Sequence, residues 1–194
     1  SVNLLEKLSA EDYIQLEEET GLKHEYHDGW VVAMAGVTEE HDLITSAIRD
    51  HLRRCLRKKA AGFTAVNSGI YSGVQQICVS GCNSYLWRII ATYLTSGRDA
   101  LTNPVAIVEV LSEGTEKYDV QEKPIQAGYN CYRTLPSFQE YLLVSSQKTE
   151  VEVGKKAANG KWQTKTFHQF EQTIELLGCR LSFQEIYEDV DLNT

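Results

Sequence analysis

A chain of 194 residues, 42% of them hydrophobic, buries one substantial core and is too short for two comfortable ones, so a single domain spanning 1–194 is expected. Trp30 to Val37 is the most apolar stretch near the N-terminus. It falls far short of the roughly 20 residues of a membrane span, and no charged-then-apolar leader precedes it; a soluble cytoplasmic protein is expected. The net charge of −8 argues against diffuse binding to phosphate backbones, so a nucleic-acid partner requires a local or metal-mediated contact.

From the N-terminus, Ser9-Ala-Glu-Asp12 is a Ser-x-x-acid cap, and Tyr13, Leu16 and the acidic run Glu17 to Glu19 continue it as a short helix that Gly21 stops. Asp28-Gly29 then separates Glu25-Tyr-His27 from Trp30-Val-Val-Ala33 as a hairpin turn. Ile44, Ile48, Leu52, Cys55 and Leu56 recur at helical spacing, with Arg49, Arg53, Arg54, Arg57 and Lys58 elsewhere around the same helix. After a β-rich stretch, Val105 to Leu111 is an apolar, β-branched run that fits a strand buried on both faces, the expected central strand. Ser112 and Thr115 cap a helix running toward Tyr132, and Glu140 to Val144 is the next strand, which implies a crossover between neighbouring strands. Val151 and Val153, the Asn159-Gly160 turn and Trp162 to Phe167 form a second hairpin, and Ser182-Phe-Gln-Glu185 is a capping box for a last short helix. The five cysteines, odd in number and without a Cys-x-x-Cys pair, read as reduced, mostly buried thiols.

Glu109 is the residue that most needs explaining, because an ionised carboxylate inside an apolar strand is costly unless paired, hydrogen-bonded or metal-bound. Either it is a charge at the strand's solvent end, or it is a metal ligand projecting from the sheet. Lys123, one helical segment later, is an ordinary surface lysine by itself; turned back over the strand end it would hold a water or a phosphate oxygen. Glu25 at a hairpin edge and His41 opening a helix are, taken singly, a solvated acid and a cap or surface residue.

Taken together these segments resemble the Uma-type restriction endonuclease family of the PD-(D/E)XK nuclease superfamily. The matching pieces are Leu8-Ser-Ala-Glu-Asp-Tyr13, His24-Glu-Tyr-His-Asp-Gly29, Met34-Ala-Gly36 with His41, Asn103 to Ser112, Thr115, Asp119 with Lys123, Tyr132-Arg133, Pro136 to Leu143 and Ile186-Tyr187. They span nearly the whole chain in the family's order. The resemblance implies an α+β (α/β) fold, a restriction-endonuclease-like core with a central mixed β-sheet flanked by helices. It also implies a metal site built from an Asp on one strand and a Glu on the next. Glu109 matches the strand Glu. Position 111, where the classical Lys would sit, is Leu, and Lys123 resembles its migrated replacement. Glu25 resembles the accessory acid of the N-terminal region. Mg²⁺ or Mn²⁺ in such a site activates a water for hydrolysis of DNA phosphodiester bonds, with Lys123 stabilising phosphoryl charge. By the same fold-level analogy, a nuclease that cuts duplexes pairs two sites in a homodimer.

One strand departs from the family pattern. The family carries an aromatic-Pro-Asp-Val-apolar strand before the Glu strand, whereas Gly73 to Ser96 contains neither proline nor acid. A back-translation of Gln76 to Arg88, read one base later, spells Lys-Phe-Val-Tyr-Pro-Asp-Val-Ile-Val-Ile-Cys-Gly, with the aspartate codon straddling Gly81 and Cys82. The expectation is a local frameshift within residues 73–96. A smaller departure lies at Pro124 to Asn130, where the family runs more directly from Lys to Tyr-Arg and where Pro124 and Gly128 interrupt helical continuity. Two functions follow as expectations: a Mg²⁺-dependent DNA endonuclease using Glu109, Lys123 and Glu25, or a catalytically inactive relative that keeps the fold as a binding or dimerisation module.

Overall fold

The computed structural model describes residues 8–20, 24–27, 30–33, 38–58, 64–66, 70–71, 77–79, 85–88, 92–93, 99–100, 104–111, 132–133 and 135–192. Helix α1 (Ala10–Thr20) starts where the Ser-x-x-acid signature puts it: the Asp12 amide donates to Ser9 Oγ at 3.1 Å, and the Ser9 amide donates back to Asp12 Oδ2 at 3.3 Å. The helix buries Tyr13 against Val31 of β2 (Trp30–Ala33), which pairs antiparallel with β1 (His24–His27). The expected Asp28-Gly29 turn and the Gly21 stop lie outside the described residues, but the hairpin they were to make is present.

Helix α2 (Glu39–Lys58) spans 20 residues and buries Ile44, Ile48, Leu52 and Leu56, the stripe its periodicity requires. Short strands β3 (Thr64–Val66), β4 (Ile70–Tyr71), β5 (Ile77–Val79), β6 (Tyr85–Arg88), β7 (Thr92–Tyr93) and β8 (Asp99–Ala100) follow. The second half of the chain contributes β9 (Ala106–Leu111), β10 (Glu140–Ser145), β11 (Val151–Lys156) and β12 (Trp162–Phe167). It closes with the hairpin β13 (Thr173–Leu176) and β14 (Cys179–Ser182) and with helix α3 (Phe183–Tyr187). Among the described residues the strands form a mixed six-stranded sheet in the order β12-β11-β10-β9-β6-β3, a four-stranded sheet β2-β1-β5-β4, and two two-stranded ribbons. This is the α+β architecture the sequence calls for.

β9 occupies the interior of the larger sheet, parallel to β10 and antiparallel to β6. The strand period of two divides its side chains between two cores. Ala106, Val108 and Val110 join Ile44, Ile48, Leu52 and Leu56 of α2, together with Leu142, Val144, Ile174, Leu176 and Phe183. Ile107 faces the other way, into a cluster of Tyr132, Leu135, Phe138 and Tyr141 flanked by Leu143 and Trp162. The helix expected to lead from Ser112 to Tyr132 lies outside the described residues, as does the Pro124 to Asn130 interruption.

Tyr141 shows how tightly the second face is fitted. Its hydroxyl donates to Glu152 Oε1 at 2.7 Å and lies 2.9 Å from Thr164 Oγ1, and burial raises its pKa. The ring lies over Gly154, its cross-strand partner, where an added Cβ would come within 1.7 Å of Tyr141 Cε1. The Asn159-Gly160 turn joins β11 to β12 as expected, with Gly160 at φ 78°. The turn between β13 and β14 has both Leu177 (φ 51°) and Gly178 (φ 69°) at positive φ, the favoured two-residue hairpin geometry with an unusual leucine in its first position. The Leu177 amide donates to Glu140 Oε2 at 2.9 Å, which ties that turn to the start of β10. The capping box at Ser182 and Glu185 is present with both reciprocal bonds. Tyr187 of α3 donates toward the carbonyls of Ser145, at 3.0 Å, and Glu150, at 3.1 Å, closing the loop between β10 and β11.

The cysteines correct the sequence reading. Cys55 of α2 and Cys179 of β14 form a disulfide across 124 residues of chain, with Cα atoms 6.1 Å apart, rather than remaining reduced thiols. The pairing arises because α2 packs its inner face onto the C-terminal hairpin, a juxtaposition that sequence spacing does not encode.

Two outcomes test this packing. Gly154→Ala is expected to destabilise the fold by about 1–3 kcal/mol, because the Tyr141 ring has to move from its hydrogen bonds; urea denaturation checks it, and an unchanged midpoint would show that the ring is not seated there. Thiol titration of the denatured, unreduced protein should find two fewer thiols than after reduction, and Cys55→Ser should cost about 2–4 kcal/mol.

Candidate functional site

Glu109 lies on β9 between buried Val108 and Val110, half-buried, with Leu143 of β10 as its cross-strand partner. Strand alternation puts it on the Ile107 side, away from α2. Of the six residues of β9, only Glu109 and Leu111 are not fully buried. The side chain therefore emerges near the C-terminal end of the central strand, where the strand's second face opens. It makes an interaction of its own and does not stand as an isolated charge. In the same register row, beyond Leu143, lies Glu152 of β11, already committed to the Tyr141 hydroxyl.

Of the other expected catalytic residues, only Glu25 has its strand described. Glu25 sits on β1 opposite Val32, in the four-stranded sheet, whereas Glu109 belongs to the six-stranded one. Lys123 lies outside the described residues. The strand paired with β9 on the edge away from β10 is β6, Tyr85-Leu-Trp-Arg88, while Gly81 and Cys82, where the next reading frame puts the aspartate, lie outside the described residues. Among the described residues no three His, Cys, Asp or Glu side chains are placed to hold a metal ion.

His41 is the residue whose placement the sequence did not reveal. It stands in the first turn of α2, where a solvated cap residue was expected, yet it is 5% exposed. The capping role falls to Thr38, whose carbonyl accepts from the Asp42 amide at 3.1 Å and whose Oγ1 accepts from the His41 amide at 3.4 Å. The His41 ring nitrogen Nδ1 lies 3.4 Å from Thr45 Oγ1, and the imidazole hydrogen-bonds the backbone of Val110. Thr45 Oγ1 donates in turn to the His41 carbonyl at 2.6 Å. The start of α2 is thereby pinned to the strand next to Glu109. The one available signal was the order Met34-Ala-Gly36 then His41, shared with the resembled family but without spatial meaning on its own.

Burial holds the His41 pKa below its ordinary value of 6.5, with the Val110 bond and Asp42 opposing the shift. The folded state therefore prefers neutral imidazole, while the unfolded chain takes up a proton near pH 6.5. Stability on this account is complete above that pH and declines as pH falls toward the lower, folded pKa. His41→Gln is expected to flatten the loss of stability between about pH 7 and about pH 5 in denaturant titrations; an unaltered pH slope would show that His41 does not carry it.

Comparison with known proteins places these features. Residues 10–187 match the model of the Uma2 family, described as "Putative restriction endonuclease". The uncharacterised protein slr1290 of Synechocystis sp. is 32% identical over 182 residues, covering 91% of this chain and 88% of that protein. A second Synechocystis protein, sll1609, is 28% identical over 161 residues, covering 80% and 84%. The crystal structure of a "putative nuclease belonging to DUF820" from Anabaena variabilis superposes with a TM-score of 0.68 at 16% identity, covering 93% of this chain and 98% of that one, a likeness of fold. In sequence along nearly its full length and in its nuclease-like fold, the chain belongs to the Uma2 family.

Proposed function

We propose that this chain is a divalent-metal-dependent endonuclease of the restriction-endonuclease type acting on DNA, with Glu109 as the anionic ligand for Mg²⁺ or Mn²⁺. The observation that carries this reading is a half-buried carboxylate on an otherwise apolar central strand of a family-matched fold. The desolvation cost of such a charge is offset by pairing, hydrogen bonding or a bound metal, and a metal is the partner this reading assigns. Lys123 is the proposed stabiliser of charge on the phosphoryl oxygens and Glu25 the accessory acid. Phosphodiester cleavage in such a site needs a water oriented for in-line attack and a counter-charge for the leaving oxygen. The chain's own contribution is a fixed carboxylate on a strand that hydrogen bonds hold on both edges. With a DNA substrate we propose the cytoplasm as its compartment, where a bridge such as Cys55–Cys179 is uncommon, and a homodimer as its assembly, so that two sites address two strands. Among the described residues no helix is long and apolar enough to cross a membrane.

A second reading is favoured by one observation, the carboxylate-free β6 beside β9. On that reading the chain is a nuclease-fold module without catalysis, serving binding or dimerisation.

The two readings part in a cleavage assay. The first predicts nicking or cutting of duplex DNA with Mg²⁺ or Mn²⁺, falling about 100-fold or more in Glu109→Ala, since losing an anionic ligand forfeits several kcal/mol of charge stabilisation. Absence of metal-dependent cleavage by the unsubstituted protein would contradict it and favour the module. The frameshift within residues 73–96 is tested separately by sequencing the gene and weighing the intact protein: codons incompatible with the Pro-Asp strand in the next frame would exclude it.

A further inference from the structure

The strongest feature outside the Glu109 region is the solvent side of α2. Between residues 49 and 58 stand Arg49, Arg53, Arg54, Arg57 and Lys58 against one carboxylate, Asp50, so this segment is net +4. The remaining 184 residues hold 14 cations and 26 carboxylates. At about 100° per residue, the five cations fill the arc opposite the buried stripe of Ile44, Ile48, Leu52 and Leu56. Arg53, Arg54, Arg57 and Lys58 are exposed. Asp50, Arg53, Arg54 and Arg57 line an open cavity of about 260 Å³.

Ordinary helix electrostatics do not account for this arrangement. Attraction of cations to the C-terminal end of the helix dipole covers Arg57 and Lys58 in the last turn and fades beyond it. Arg49, Arg53 and Arg57 are spaced four apart, as are Arg54 and Lys58, and like charges at that spacing destabilise a helix. Arg49 pairs with Asp50 at 3.0 Å. The nearby carboxylate of Glu185 is spent on His51, at 3.2 Å, and on capping α3. Among the described residues no ion pair offsets Arg53, Arg54 or Arg57. A protein that is acidic elsewhere thus concentrates guanidinium groups, with their planar, bidentate geometry for phosphate oxygens, on one outward helix face.

We infer that this face of α2 binds the phosphate backbone of duplex DNA. The inference rests on the nuclease reading for the identity of the polyanion, and it adds a surface that reading did not contain. α2 covers the Ala106, Val108 and Val110 side of β9, whereas Glu109 projects from the other side, so the surface captures the duplex rather than positioning the scissile bond. Its substitution affects binding and KM and leaves kcat unchanged.

The test is fluorescence anisotropy of a labelled duplex of about 30 base pairs with metal chelated, from about 50 to about 200 mM salt. The unsubstituted protein, R53A/R54A/R57A, R53K/R54K/R57K and E109A are compared. Removing three phosphate contacts is expected to flatten the slope of log K against log salt by about 2.7, so that the unsubstituted protein loses about 40-fold more affinity over that range than the alanine variant. The lysine variant should keep most of the slope, since charge is preserved. Circular dichroism should show the alanine variant folded, as these side chains are exposed. Equal slopes and affinities for the unsubstituted and alanine proteins, or no binding by the unsubstituted protein, would overturn the inference. A parallel cleavage assay with Mg²⁺ on the same four proteins separates the two claims: salt-dependent binding without cleavage by the unsubstituted protein removes the nuclease reading and leaves the α2 surface standing. Cleavage lost in E109A but kept, with unchanged KM, in R53A/R54A/R57A removes the surface and leaves the nuclease reading.

Discussion

The structure depends on one strand being buried from both sides. β9 is hydrogen-bonded to β10 on one edge and β6 on the other, and alternate side chains feed two separate cores. That leaves no position along its first three residues where a charge is tolerable, since each is fully buried. Glu109 occupies the first position on the aromatic side beyond Ile107 where exposure returns. The amphipathic stripe of α2, the Tyr141 ring over Gly154 and the Tyr187 hydroxyl at the β10–β11 loop all serve to close the two faces around this strand. The Cys55–Cys179 bridge fastens α2 to the C-terminal hairpin that completes the larger core.

Much of this was legible because its determinants are local. The Ser9 and Ser182 caps, the 3.6-residue stripe of Ile44, Ile48, Leu52 and Leu56, the Asn159-Gly160 turn and the β-branched run at 105–111 each signal their structure within a few residues, and each element appears where they put it. What was not legible depends on distant chain. Cys55 and Cys179 carry no mutual sign at 124 residues apart. The β13–β14 turn uses Leu177 at positive φ instead of the Asn or Asp that would have announced it. His41 looked like a helix cap because neither its burial nor its bond to Val110 leaves a trace in the adjacent sequence.

The sequence singled out Glu109 as a candidate through the cost of a charge in an apolar strand, a physical argument independent of any family, and the fold sets that residue on the central strand. It could not place Glu25, which depends on how the N-terminal hairpin joins a sheet of its own with β5 and β4. The absence of acid and proline from Gly73 to Ser96 is a fact of the sequence, and Tyr85 to Arg88 of that segment lies antiparallel to β9. The proposed chemistry and the proposed capture surface lie on opposite faces of the larger sheet, Glu109 on one and an arginine-rich helix on the other.

The central proposal is that Glu109 is a divalent-metal ligand and that a frameshift within residues 73–96 withholds a second anionic ligand from it. Calorimetric titration of Mn²⁺ into this chain, and into a chain whose residues 76–87 are replaced by the Lys-Phe-Val-Tyr-Pro-Asp-Val-Ile-Val-Ile-Cys-Gly segment, measures that deficit directly. The account predicts weak binding by the present chain and affinity higher by about tenfold or more once the aspartate is restored. Equal affinity in the two proteins would contradict it.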